Sequence, residues 1–227
     1  MKRLISFILF FTIIVSCVPL SVSAQRDLSY EEIQAQELKD LGLFRGVSDT
    51  DFALGRAPSR AEAIVMLIRM LGKESEATGS KWSHPFTDVP AWADNYVGYA
   101  YTTGLTKGIS ATEFGMGDAS ALMYLTFVLR ALGYSDANNL DFAWDNPFPL
   151  AKSIGILYDK VNIETFWRAD VVLISHAALR ASLKGTTQTL AQKLRIFFGK
   201  NESQKTHGKE KYPQKEPCVW IVQCSGG

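Results

Sequence analysis

An all-α fold follows from three features of the sequence. Helical periodicity recurs along the chain, whereas strand signals are sparse. Several apolar stretches are opened by capping residues and closed by glycine. A short phrase is also written twice, as Gly42-Leu43-Phe44-Arg45-Gly46-Val47-Ser48 and as Gly104-Leu105-Thr106-Lys107-Gly108-Ile109-Ser110. Each copy leads through an aromatic at the same offset, Phe52 or Phe114, into an apolar stretch ending Leu71-Gly72 or Leu132-Gly133. A third such stretch comes after Trp167-Arg168-Ala169-Asp170. A period of roughly 60 residues implies a supersecondary unit too small to bury its own apolar face, so that neighbouring units must stack.

The elements run in order from the N-terminus. Met1-Lys2-Arg3, an apolar run from Leu4 to Val15 and the small residues Val22-Ser23-Ala24 read as a signal peptide cleaved after Ala24. Ile14-Val15-Ser16-Cys17 is a rival reading, a lipobox that would make a lipidated Cys17 the mature N-terminus. The apolar run is short for a transmembrane span, and no later segment supplies one. Ser29 to Leu41 is the first expected helix, with Ser29 and Glu32 as a capping box and Gly42 just past its end. Ser59-Arg60-Ala61-Glu62 is a second capping box, opening a helix whose Ile64, Leu67, Ile68 and Leu71 share a face. Asp88 and Pro90 suit the opening of a helix running to Gly104. Further helices are expected over Ser120–Leu132, Pro147–Ser153, Arg168–Ser182 and Thr187–Phe198. The expected organisation is a leader over 1–24, units over 25–73, 82–134 and 141–199, the last with an extra C-terminal helix, and a polar tail over 200–227. Cys218 and Cys224 lie in that tail, where they can close a small disulfide loop. Whether the apolar end of the tail packs on the body, forms a hairpin or stays disordered is open.

Together these residues resemble the S-layer homology family, whose tandem units occur in bacterial surface proteins. Phe86-Thr87-Asp88-Val89-Pro90-Ala91-Trp92-Ala93 matches the opening of the family pattern, and Gly-Leu, Gly-Val/Ile-Ser and Ser-Arg-Ala-Glu match its later elements. The resemblance covers roughly Ser29 to Gly185. It implies a bundle of three degenerate tandem repeats with pseudo-threefold symmetry, non-catalytic, with grooves between units. Those grooves would bind a pyruvylated or otherwise anionic secondary cell-wall polysaccharide linked to peptidoglycan and so hold the secreted protein at the wall.

The candidate binding residues are Arg60, Arg168, Trp92, Asp88, Gly46 and Gly108. A guanidinium at a helix N-terminus adds its donors to unpaired backbone N–H groups and suits a sugar carboxylate. Arg60 and Arg168 hold that position. Trp92 reads first as a core residue and second as a flat face for a pyranose ring. Asp88 reads as a helix cap as well as a sugar contact. Gly46 and Gly108 serve turn geometry and allow close backbone approach. The second unit departs from the pattern: Ser120-Ala121-Leu122-Met123 has neither the arginine nor the glutamate, which leaves one groove without its arginine.

Removing Lys2 and Arg3 takes the formal charge from +1 to about −1, so nothing in the net charge points to nucleic acid. His84, His176 and His207 are scattered without partners at ligand spacing, so neither a metal nor a cofactor is expected. Gly-x-Ser-x-Gly, His-Glu-x-x-His and phosphate-loop motifs are absent from the sequence, and no enzyme is expected. The competing class is a drifted structural protein that self-associates or docks another surface protein.

Overall fold

The computed structural model describes residues 26–198 and 220–222, with side chains through Ile196. The leader, Cys17, most of the tail, Cys218 and Cys224 lie outside the described residues. Among the described residues eight α-helices form the body: α1 (Ser29–Asp40), α2 (Arg60–Met70), α3 (Glu74–Thr78), α4 (Asp94–Thr102), α5 (Ala121–Ala131), α6 (Phe148–Ser153), α7 (Arg168–Arg180) and α8 (Leu190–Lys193). None of them is long and apolar enough to cross a membrane.

The three most extensively buried helices, α2, α5 and α7, pack against one another and form the centre. Ile64, Leu67, Leu125, Leu129, Val172 and Leu173 are fully or almost fully buried there. Tyr124 and Ser175 tie α5 to α7 through a buried 2.6 Å hydrogen bond between hydroxyls, which satisfies polar groups that burial would otherwise penalise. Around this centre the outer helices dock in a cycle: α1 on α7, α4 on α2, and α6 on α5. Each outer helix therefore covers a central helix that lies outside its own stretch of sequence.

Backbone pairing brings the central helix starts together. Arg60 N–H donates to Gly117 O at 2.9 Å and Ala119 N–H to Pro58 O at 2.8 Å, which ties the start of α2 to the approach of α5. Arg168 N–H donates to Arg56 O at 2.9 Å and Ala169 N–H to Leu54 O at 3.1 Å, which ties α7 to the approach of α2. Side chains from one helix's first turn thus reach the flank of the next.

The α2 capping box forms as expected between Ser59 and Glu62, and Ser120 caps α5 by accepting from Met123 N–H. The Ser29–Glu32 box does not form: α1 begins at Ser29 itself, whose N–H donates to Asp27 Oδ1 at 3.0 Å. Nor does Asp88 cap a helix, because α4 starts only at Asp94 behind a turn through Trp92. The last expected helix shortens to the single turn α8, capped by Thr189 and Gln192. Beyond it the backbone of β1 (Ile196–Phe198) pairs antiparallel with β2 (Trp220–Val222). The apolar end of the tail therefore returns to the body as a strand.

Candidate functional site

The site is built from two grooves of the same plan. In the first, of about 530 Å³, the Gly46 turn faces α2, with Trp92 and Tyr96 on the α4 side and Arg168 entering from α7. In the second, of about 680 Å³, the Gly108 turn faces α5, with Trp144 beyond and Arg60 entering from α2. Arg45 and Lys107 stand at matching places in the two turns, and Arg69 and Arg130 lie nine residues after the start of α2 and α5.

Spacing along the chain suggests that Arg60 serves the Gly46 turn that precedes it. The structure pairs them otherwise: Arg60 lines the groove of Gly108, and Arg168 that of Gly46. The second copy of the written phrase therefore has an arginine in its groove, borrowed from α2. The arginine missing from α5, where Ala121 stands, is not one that either groove uses.

The two arginines are both buried, Arg60 at 6% exposure and Arg168 at 4%, yet they are held differently. Arg168 donates to Phe52 O at 2.9 Å, Arg45 O at 3.3 Å and Met66 Sδ at 3.4 Å, and lies 4.0 Å from Glu62. Arg60 sits over the rings of Phe114 and Phe127, at 5.0 and 5.1 Å, touching Met123 Sδ and reaching Thr106 Oγ1 only at 3.4 Å. Its buried Nε has no hydrogen-bond partner among the described residues. Burial, helped by repulsion from Arg130, lowers the Arg60 guanidinium to about 10 despite the attraction of Asp88. Arg60 stays cationic at neutral pH, and among the described residues no carboxylate is in contact with it.

The other groove cations each touch a carboxylate, two to each acid. Arg69 and Arg45 share Glu74 at 2.9 and 3.0 Å. Arg130 grips Asp136 at 2.6 and 3.2 Å, and Lys107 joins at 3.1 and 3.2 Å. Burial alone would raise the Asp136 carboxyl, but the hydrogen bonds from Arg130 and Lys107 outweigh it and hold the group at about 2. A carboxyl lowered from 3.8 stabilises the fold fully above the unfolded value and loses that contribution as pH falls through about 2. Asp136→Asn is therefore expected to lower the thermal midpoint clearly at pH 6 and much less at pH 2, read by circular dichroism.

The remaining candidates divide. Trp92, read first as core, is 54% exposed on the rim of the first groove, and Trp144 is 60% exposed on the rim of the second. Asp88 faces neither ligand space: both its oxygens accept backbone N–H groups, from Phe114 and Gly115, each at 2.8 Å. It fixes the floor under Arg60 instead. At Gly46 a Cβ would lie 2.7 Å from Ser48 O, and at Gly108, where φ is +75°, 2.8 Å from the Phe86 ring. Both glycines are thus required by packing within the turn.

Sequence reasoning missed Trp144, Arg69, Arg130, Arg45 and Lys107. The signal was available in the repeats: Arg45 and Lys107 stand at the same place in the phrase, Arg69 and Arg130 at the same offset from Ser59 and Ser120, and Trp144 comes after Asp141 by one residue less than Trp92 after Asp88.

No family model matches the chain. It is 30% identical over 201 residues to a cell surface protein of Thermoanaerobacter kivui, covering 81% of this chain and 25% of that one. It is 24% identical to a surface layer protein of Brevibacillus choshinensis, over 59% of this chain and 13% of the relative. A middle cell wall protein of Brevibacillus brevis matches at 24% over 59% of this chain and 14% of its own length. The chain spans a quarter or less of each of these proteins. Its likeness is thus to parts of bacterial surface-layer and cell-wall proteins, and it runs through most of the helical body.

Proposed function

We propose that this protein is a non-catalytic cell-wall-binding module, which anchors itself to an anionic secondary wall polysaccharide through the grooves between its units. The observation that carries this reading is Arg60. A buried guanidinium without a carboxylate, lining an open groove rimmed by an exposed indole, matches a sugar bearing a carboxylate such as a pyruvyl ketal. The carboxylate would meet the guanidinium while a pyranose face lies on Trp144. The similarity to surface-layer and cell-wall proteins supports the same reading. A polymer engaging more than one groove gains by multivalency, so modest single contacts suffice.

The test is retention of purified protein on sacculi before and after chemical removal of the secondary polymer. Retention is expected to fall at least about tenfold on stripped sacculi; equal retention on both overturns the proposal.

A second reading is favoured by the apolar rims: Val47 and Ile109 are more than half exposed beside the two turns. In it the grooves dock protein, either another copy or a surface partner. Concentration-dependent sedimentation together with equal retention on stripped and intact sacculi supports it.

A further inference from the structure

The second unit carries a strap ahead of α4. From Trp82 to Asp88 its residues alternate between covered and exposed, and the covered ones lie in the trough between α4 and the turn at Phe114. Trp82 backs onto Gly98, where a Cβ would collide with it, and His84 Nε2 lies 3.1 Å from Asp94 Oδ1. Phe86 packs on Phe114 with ring centroids 5.9 Å apart, and Thr87 N–H donates to Thr112 O at 2.9 Å. Asp88 accepts the N–H groups of Phe114 and Gly115. Under this cover Phe114 is fully buried.

The first unit repeats the trough and leaves it open. Counted from Gly42 and Gly104, Glu32 stands where Asp94 does, Gln36 where Gly98 does, Thr50 where Thr112 does and Phe52 where Phe114 does. The two turns are built alike: Ser48 Oγ accepts from Asp51 N–H at 3.1 Å, as Ser110 Oγ does from Glu113 N–H. Between α1 and the first turn lies an open space of about 600 Å³, lined by Phe52, Leu54 and the half-exposed Ile33. Among the described residues neither Thr50 O nor Phe52 N–H has a hydrogen-bond partner. The described residues ahead of α1 do not fill the space, because Arg26, at the place of Asp88, is clamped to Asp170 and Glu31 instead.

From this arrangement we infer that the first-unit trough docks an extended segment of a second protein. The segment carries a basic residue, an aromatic two positions on, and an uncharged hydrogen-bond acceptor two positions further. The strap of the second unit defines this chemistry, and the differences between the troughs adjust it. The aromatic lies on Phe52 as Phe86 does on Phe114, and the next N–H meets Thr50 O. Lys39 already lies 5.8 Å over the Phe52 ring, at the place from which Tyr101 meets Phe86 edge-on, and adds a cation to that contact. The basic residue faces Glu32, the carboxylate at the place of Asp94. The acceptor has only Phe52 N–H to satisfy, since Asp51 Oδ1 takes Ala53 N–H at 2.6 Å. Asp51 also disfavours a carboxylate beside it, so Asn or Ser suits this position where the strap has Asp88. Gln36 fills the place that Trp82 has over Gly98, which makes the docked segment shorter than the strap. Pairing of this kind takes affinity from main-chain hydrogen bonds and selectivity from alternate side chains. The trough shares no lining residue with the Gly46 and Gly108 grooves, and the inference does not rest on wall binding.

The test titrates the intact protein with acetyl-Lys-Pro-Phe-Thr-Asn-Val-amide and reads backbone N–H shifts by NMR. The largest shifts are expected at Phe52, Ala53 and Glu32, with a Kd of roughly 0.1–1 mM. Serine in place of the peptide's phenylalanine is expected to weaken binding at least about tenfold, and aspartate in place of its asparagine about threefold. Ile33→Asp and Glu32→Lys change exposed side chains. Each is expected to weaken the peptide at least about fivefold and to leave both the fold, read by circular dichroism, and retention on sacculi unchanged. The inference is overturned by the absence of shifts at about 5 mM peptide, by shifts confined to the Gly46 or Gly108 groove, or by equal affinity of Ile33→Asp and the unaltered protein. Concentration-dependent sedimentation that the peptide reverses would give the trough to a second copy of this chain, and would overturn the assignment to another protein.

Discussion

Arg60→Ala is expected to reduce retention on intact sacculi by roughly 30- to 100-fold, the loss that comes from removing a buried charged donor from its anionic partner. The same variant is expected to melt within a few degrees of the unaltered protein. Arg60 is buried without a carboxylate, and its Nε has no acceptor among the described residues, so its desolvation is poorly compensated in the free fold. Removing it loses the contacts over Phe114 and Phe127 but relieves that penalty. Binding and stability should therefore separate. Thermal unfolding beside a sacculus pull-down checks both, and parallel losses in the two would mean that Arg60 is a structural residue. Arg168→Ala provides the contrast. Its fork is committed to Phe52 O and Arg45 O, so its removal is expected to loosen the first groove and lower stability.

Asp170→Ala is expected to cost about 3–5 kcal/mol of stability, which is the usual result of removing one partner from a buried ion pair. Asp170 is fully buried in the first turn of α7, at the offset that Glu62 holds in α2 and Met123 in α5. No arginine comes to it from α5, where Ala121 stands. Arg26 meets it instead, at 3.0 and 3.1 Å, while also donating to Glu31 at 2.7 Å. The Asp170 oxygens further accept the N–H groups of Asn162 and Trp167 at 2.8 and 2.9 Å. Burial pushes the carboxyl above its usual range even against these donors. The third position is thus a structural clamp that fastens the chain before α1 onto α7. Urea denaturation measures the loss, and a change below about 1 kcal/mol would contradict the clamp. Retention on sacculi at a temperature where the variant is folded is expected to change little, because Asp170 lines neither groove.

The sequence disclosed the parts of the fold that depend on local chemistry. The α2 and α5 starts were legible because Ser59 and Ser120 are side-chain caps in front of strongly periodic apolar runs. The α1 start at Ser29 was legible too, but its cap was misread: Ser29 and Glu32 have the spacing of a capping box, whereas Asp27 accepts the Ser29 N–H. The single turn α8 was overextended, since Thr189 and Gln192 mark a helix start truthfully while nothing nearby marks its end. The β1–β2 pairing joins residues more than twenty positions apart, beyond the reach of periodicity.

The site was legible by residue and not by assembly. Arg60, Arg168, Gly46 and Gly108 do line grooves, and Trp92 lines the first. Which arginine meets which turn depends on backbone pairing between helix approaches, such as Arg60 N–H to Gly117 O. That pairing leaves no trace in one-dimensional spacing. Asp88 shows the converse case. Its conspicuous place before Pro90 suggests a helix cap, while its oxygens serve the Phe114–Gly115 backbone across the unit.

Groove binding is tested most directly by a footprint of solubilised secondary wall polymer on the intact protein, read as backbone and indole N–H shifts by NMR. The largest shifts are expected on Lys107, Gly108, Ile109 and the Trp144 indole, around the open guanidinium of Arg60. Shifts confined to the outer face of α1, or no shifts at polymer concentrations that elute the protein from sacculi, would contradict wall anchoring through these grooves.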